Sequence, residues 1–124
     1  MLAVIAALVL AAPAFAFFAK IDPTATLSAD GRHVHASGPL TCPKGESFRL
    51  RVSVTQRAGA AYAEGNKTVA CTGTPQQWSV SAVRIGGGRF AAGSVEVCAL
   101  GRSFAGGEVT DAHQWCAKKP VTLR

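Results

Sequence analysis

His33-x-His35 places two imidazoles on one face of an extended segment, a spacing that copper or zinc can use, and His113 with Asp111 would add ligands if the fold brought them close. The pairing register around His33 and His35 independently demands two polar side chains on a solvent face, so a metal-handling protein or small enzyme using His33, His35 and His113 is the alternative reading and no cofactor is expected. Gly101-Arg102-Ser103-Phe104-Ala105 half-matches the sharp turn that exposes a serine nucleophile, yet its last position is Ala and no strand-to-helix change surrounds it. Carboxylate pairs for acid/base work are scarce among seven acids, and Glu96, Glu108 and Asp111 fit strand surfaces and turns. No catalytic residues emerge, and an enzyme is not expected.

The strongest surface feature is a basic ladder. Arg49, Arg51 and Arg57 share one parity, with Ser53 and Thr55 between them, so spaced guanidiniums would face solvent along a single strand run. With a formal net charge of +6, the chain favours polyanions such as anionic envelope polymers. A solvated face that discourages sheet aggregation needs the same charges. No specific nucleic acid is implied. Asn66-Lys67-Thr68 matches a glycosylation sequon on an expected loop tip. Trp78 reads as core, and Trp115 as packed on the disulfide of its neighbour Cys116.

The elements that must position these residues are strands. Residues 24–29, Asp30-Gly31 and residues 32–37 give a hairpin signal, because Asp-Gly supplies the positive φ angles of a type I′ turn. With those two residues as the loop, Leu27 lies opposite Val34, Ala25 opposite Ala36, Thr26 opposite His35 and Ser28 opposite His33. Ser37-Gly38-Pro39 predicts a bend. Residues 48–56 alternate completely, with Phe48, Leu50, Val52 and Val54 inward. Residues 58–62 and 67–72 read as two short strands joined at Glu64-Gly65-Asn66. Residues 77–85 follow with Trp78, Val80 and Ala82 on one face, then residues 90–100, 111–116 and 120–123. Seven or eight short strands with Gly and Pro turn signals argue for an all-β antiparallel sandwich.

The location reads from the two ends of the composition. An apolar run closes at Ala14-Phe15-Ala16, which predicts a signal peptide over residues 1–16 and one domain over 17–124. The run lacks a basic start, and Phe17-Phe18 follows the expected cut. An uncleaved run of about 18 apolar residues would instead anchor the chain in a membrane. Four cysteines in a short exported chain imply two disulfides. Cys42 with Cys71 and Cys98 with Cys116 is the preferred pairing, since each loop is long enough to contain a hairpin; Cys42 with Cys98 around Trp78 stays open as the alternative.

The order Ala29-Asp30-Gly31, Val52-Ser53-Val54-Thr55-Gln56, Cys71-Thr72-Gly73, Gln77-Trp78-Ser79-Val80 and Asp111-Ala112-His113-Gln114-Trp115-Cys116 resembles a set of small secreted proteins of high-GC Gram-positive bacteria. The resemblance implies an immunoglobulin-like sandwich, secreted or associated with the cell envelope, and carries over no catalytic residue. The expected function is a binding or structural module of the envelope, monomeric, whose partner is an anionic envelope polymer or another envelope protein. A secreted inhibitor presenting the rigid loop at residues 86–89 is a further alternative.

Overall fold

Alternating apolar and polar residues favour extended chain over helix throughout, and the computed structural model describes residues 17–124 as strands and turns. The strands are β1 (Phe18–Ala19), β2 (Thr24–Leu27), β3 (His33–Thr41), β4 (Ser47–Gln56), β5 (Ala61–Ala70), β6 (Gln76–Ile85), β7 (Gly93–Ala105), β8 (Glu108–Cys116) and β9 (Val121–Leu123). The leader read at residues 1–16 lies outside the described residues. Among those described, no helix is long and apolar enough to cross a membrane.

The all-β expectation holds, and the strands close into a barrel where a two-sheet sandwich was expected. Seven strands form a ring in the order β3-β2-β9-β7-β4-β5-β6, and β6 returns to pair with β3. β3 pairs with β6 from His33 to Leu40, and β4 pairs along its length with both β5 and β7. Two short joins turn these sheets into a ring. One is the parallel pairing of β2 with β9 at Thr24↔Thr122 and Ala25↔Leu123; the other is β5 with β6 at residues 62–64 and 83–85. β1 and β8 branch off, β1 on the upper half of β3 and β8 on the upper half of β7.

Gly65 explains the second join. A Cβ there would sit 2.6 Å from the Ser81 carbonyl oxygen and 2.8 Å from Val80 Cγ1, so only glycine lets β5 pass this close beneath β6. The expected turn at Glu64-Gly65-Asn66 is therefore the middle of one continuous strand, and the real turn lies at residues 57–60. The expected bend at Ser37-Gly38-Pro39 is likewise strand. Pro39 offers its carbonyl to Lys20 N of the β1 side at 3.1 Å, and its missing N–H would face that same edge, leaving the β6 ladder whole.

The hairpin register holds at Thr26↔His35 and Leu27↔Val34, and Ser28 N donates to His33 O. Its turn differs from the expected type I′. Only Gly31 has positive φ (71°), and the Asp30 carboxylate accepts from the Ser28 hydroxyl and the Arg32 amide, an Asx-type competition that opens the loop. Ala25, expected opposite Ala36, is in register with Leu123 instead.

Inside the ring lies one core. Phe48, Leu50, Val52 and Val54 of β4 are completely buried and meet Trp78, Val80 and Ala82 of β6, as the alternation predicts. The indole N–H of Trp78 donates to Lys20 O at 2.8 Å. Cys42–Cys71 and Cys98–Cys116 are both bonded and no free cysteine remains, so the central-pin pairing is set aside. Phe17, which follows the expected cut, is a core residue: its ring packs 4.7 Å from Phe48, filling the space between β1 and β8.

Candidate functional site

The antiparallel connections decide which side chains meet. Because β4 runs towards Gln56 while β5, β3 and β7 start there, the β2–β3, β4–β5 and β6–β7 connections share one end of the barrel. The β6–β7 connection is firmly held. Gln56, buried although polar, accepts Ala91 N–H at 2.8 Å and donates to Ala91 O at 2.8 Å. Gly88 packs so tightly that a Cβ would fall 2.1 Å from Ala60 O. Ala60 itself has a φ of 51°, unusual for a residue with a side chain, and such strain persists only where packing over-determines it.

Two hollows open at this end. One, of about 270 Å³, is lined by Arg32, Arg84 and Arg89 with Asp30 at its edge. The other, of about 450 Å³, lies under the β8–β9 connection, with Arg57, Lys118 and Lys119 around it and Glu96 as its one acid. Six of the thirteen cations but two of the seven acids therefore line these hollows. Among the described residues none of the six has a carboxylate within 4.0 Å. The Asp30 carboxyl is held below the ordinary carboxylate range, first by the Ser28 hydroxyl and then by the Arg32 amide.

The basic ladder of the sequence divides. Arg49 lies over the Phe104 ring at 5.1 Å, and Arg51 donates to Glu64 at 2.9 Å. Glu64 also accepts the Tyr62 hydroxyl, and these two donors, Tyr62 first, keep its carboxyl below the ordinary range, while the hydrogen bond to Glu64 raises the Tyr62 phenol. Arg57 lies past the end of β4 and joins Lys118 and Lys119. Sequence reading missed Arg32, Arg84, Arg89, Lys118 and Lys119. Most of them flank turn signals, but only the ring closure puts those turns at one end.

The other candidates separate. His33 and His35 stack with ring centroids 6.4 Å apart on β3, which is a paired interior strand rather than an edge, whereas His113 sits on β8 against Asp111 at 3.0 Å. Among the described residues no three His, Cys, Asp or Glu side chains gather to hold a metal ion. Ser103 is buried near the end of β7 and hydrogen-bonded to Thr110 Oγ1 at 2.8 Å. Asn66 is exposed, but in mid-strand opposite Arg51 rather than at a loop tip. Trp115 is half-buried beside Phe17, its indole N–H without an acceptor among the described residues.

In comparisons with protein-family models, curated proteins and solved structures, nothing matches this chain.

Proposed function

We propose that the protein is an exported binding module of the cell envelope that holds an anionic polymer at the basic end of its barrel. The observation that carries this is the gathering around two hollows of six cations that have no carboxylate partner among the described residues, on loops and the end of β6, with the β6–β7 loop held in place by Gln56. A rigid scaffold with charged connections is suited to binding, since the side chains lose little further freedom on contact. The two disulfides and the apolar leader pattern support an oxidising, extracellular location. Short joins between two extensively paired sheets support the immunoglobulin-like relationship that the sequence resemblance implies.

The test is sedimentation of the secreted protein with purified cell walls at low and physiological salt. Attraction at an exposed surface is screened within about 8 to 10 Å, so retention falls as salt rises. The triple variant Arg57→Ser, Lys118→Ser, Lys119→Ser should lose most of it, while Arg49→Ser with Arg51→Ser should lose little. Equal retention of both variants and wild type, or indifference to salt, would sink the reading. Secreted material should begin at Phe17, give or take roughly three residues; recovery of only full-length chain from membranes would favour an anchor.

The stapling of residues 86–92 by Gln56 also favours a second reading, an inhibitor that presents this loop to a partner protein. Pull-down from envelope fractions separates the two: a protein captured through Arg89 and indifferent to added polymer would support the inhibitor.

A further inference from the structure

We propose that the hollow between Arg32, Arg84 and Arg89 is a receptor for the phosphate group of a phosphorylated polyol, with Asp30 accepting the neighbouring hydroxyl. This rests on the binding reading above and names the chemistry of one of its hollows. Three guanidiniums converge from two different connections and the end of β6, Arg32 from the β2–β3 loop, Arg84 from β6 and Arg89 from the β6–β7 loop. A planar carboxylate is well served by one guanidinium fork. A tetrahedral phosphate accepts from three directions, so three forks around one small hollow fit it better.

The site is preorganised. Arg84 N donates to Arg32 O at 2.8 Å, tying the two connections together, and Arg84 Nη1 donates to Gly88 O at 3.0 Å, which fixes that guanidinium and leaves its remaining donors for a ligand. The loop bearing Arg89 is locked by Gln56 and by the contact of Gly88 with Ala60.

Asp30 gives the site its second requirement. Its contacts with Ser28 Oγ, Arg32 N and His33 all fall on Oδ1, so Oδ2 is open to a donor. A carboxylate beside an anion site repels the anion itself, yet it accepts a hydroxyl carried one or two carbons away. Free phosphate meets only the repulsion; a polyol phosphate meets both the guanidiniums and the acceptor.

The experiment is a chemical-shift titration of the secreted protein at low salt with glycerol 3-phosphate, inorganic phosphate, glycerol and acetate. Saturable shifts at Gly31, Arg32 and Arg89, tighter for glycerol 3-phosphate than for inorganic phosphate and absent for glycerol, are expected. Arg89→Gln, whose side chain makes no internal hydrogen bond among those described, should weaken glycerol 3-phosphate at least about tenfold, as loss of a charge-assisted hydrogen bond does. Arg84→Gln should do the same and also free the loop. Asp30→Asn should abolish the preference for the polyol phosphate while strengthening inorganic phosphate.

Shifts confined to the Arg57 and Lys118 hollow, equal affinity for acetate, or a preference untouched by Asp30→Asn would overturn the assignment. Retention on cell walls that depends on Arg57, Lys118 and Lys119 but survives Arg89→Gln would overturn it while leaving the envelope reading intact. Sedimentation with phosphatidylglycerol vesicles identifies the source: Arg89-dependent binding there points to lipid headgroups, and its absence with bound glycerol 3-phosphate points to a soluble or wall-borne polyol phosphate.

Discussion

The two ends of this barrel are held by different forces. At one, Cys42–Cys71 clamps the β3–β4 connection to the β5–β6 connection, Phe17 plugs the gap between β1 and β8, and Glu46 accepts the Thr110 hydroxyl. At the other, Cys98–Cys116 ties the end of β8 to β7 just before the loop of Lys118 and Lys119, and a buried glutamine with close glycine contacts holds the β6–β7 loop, around cations that have no carboxylate partner among the described residues. Mutual repulsion among those cations destabilises the folded chain slightly, and the protein tolerates it at the end that lies away from Cys42–Cys71 and the Phe17 plug. The contrast separates the residues that keep the fold from those that face a ligand.

The sharpest break of the comparison would come from the core common to both ends. Val52→Asp puts a charge at a completely buried position in mid-β4, at a cost of several kcal/mol, and should unfold the domain. Arg51→Asp, one residue away and exposed, should leave a cooperative melt. Circular dichroism melting of both variants checks this, and equal harmlessness would mean that Val52 does not face the core.

Next in size is the end that Cys42–Cys71 clamps. Cys42→Ala with Cys71→Ala opens a loop of sequence separation 29 and should cost about 3 to 4 kcal/mol. Amide exchange should quicken around residues 42–46 and 71–75, with the amide of Ala91 still protected. Uniform loss of protection would show that the two ends unfold as one.

Gln56→Ala tests the converse. It leaves the Ala91 N–H and carbonyl without their partner, a loss of about 1 to 3 kcal/mol. Exchange should rise first in residues 86–92, and wall retention should weaken although no cation has been removed. A loop that stays protected would remove Gln56 from the account of the basic end.

The smallest effect belongs to the middle of the barrel wall. Glu64 has its carboxyl lowered from 4.5 by Tyr62 and Arg51, so its contribution is fully present above that value and is lost as pH falls through the depressed one. The group is half-buried and still reached by water, so solvent screening keeps the effect slight. The melting temperature of Glu64→Gln should lie slightly below wild type above pH 4.5 and converge with it in acid. A constant difference across that range would show that the carboxylate charge is not responsible.

Alternation made β4 and β6 legible because a strand reveals its two faces at every second residue, and complete burial of Phe48, Leu50, Val52 and Val54 needs no knowledge of the partner strands. The disulfide pairing was legible too, each cysteine pair bracketing a hairpin. Gly38, Pro39 and Gly65 misled for one shared reason. Glycine and proline signal turns when judged locally, yet here glycine marks close approach to another strand and proline an edge that needs no donor.

The sequence by itself determined the all-β character and the parity of the strongest strands, because these follow from neighbours along the chain, and loop length favoured the sulfur pairing that the structure then decided. Closure into a barrel and the meeting of Arg32, Arg84 and Arg89 were decided only in three dimensions. Closure depends on the short β2–β9 and β5–β6 joins, and the meeting of the three arginines on the β3–β6 pairing, which sets Arg84 N on Arg32 O. Those joins bring together residues far apart in sequence, whose charges carry no local mark of the end they will occupy.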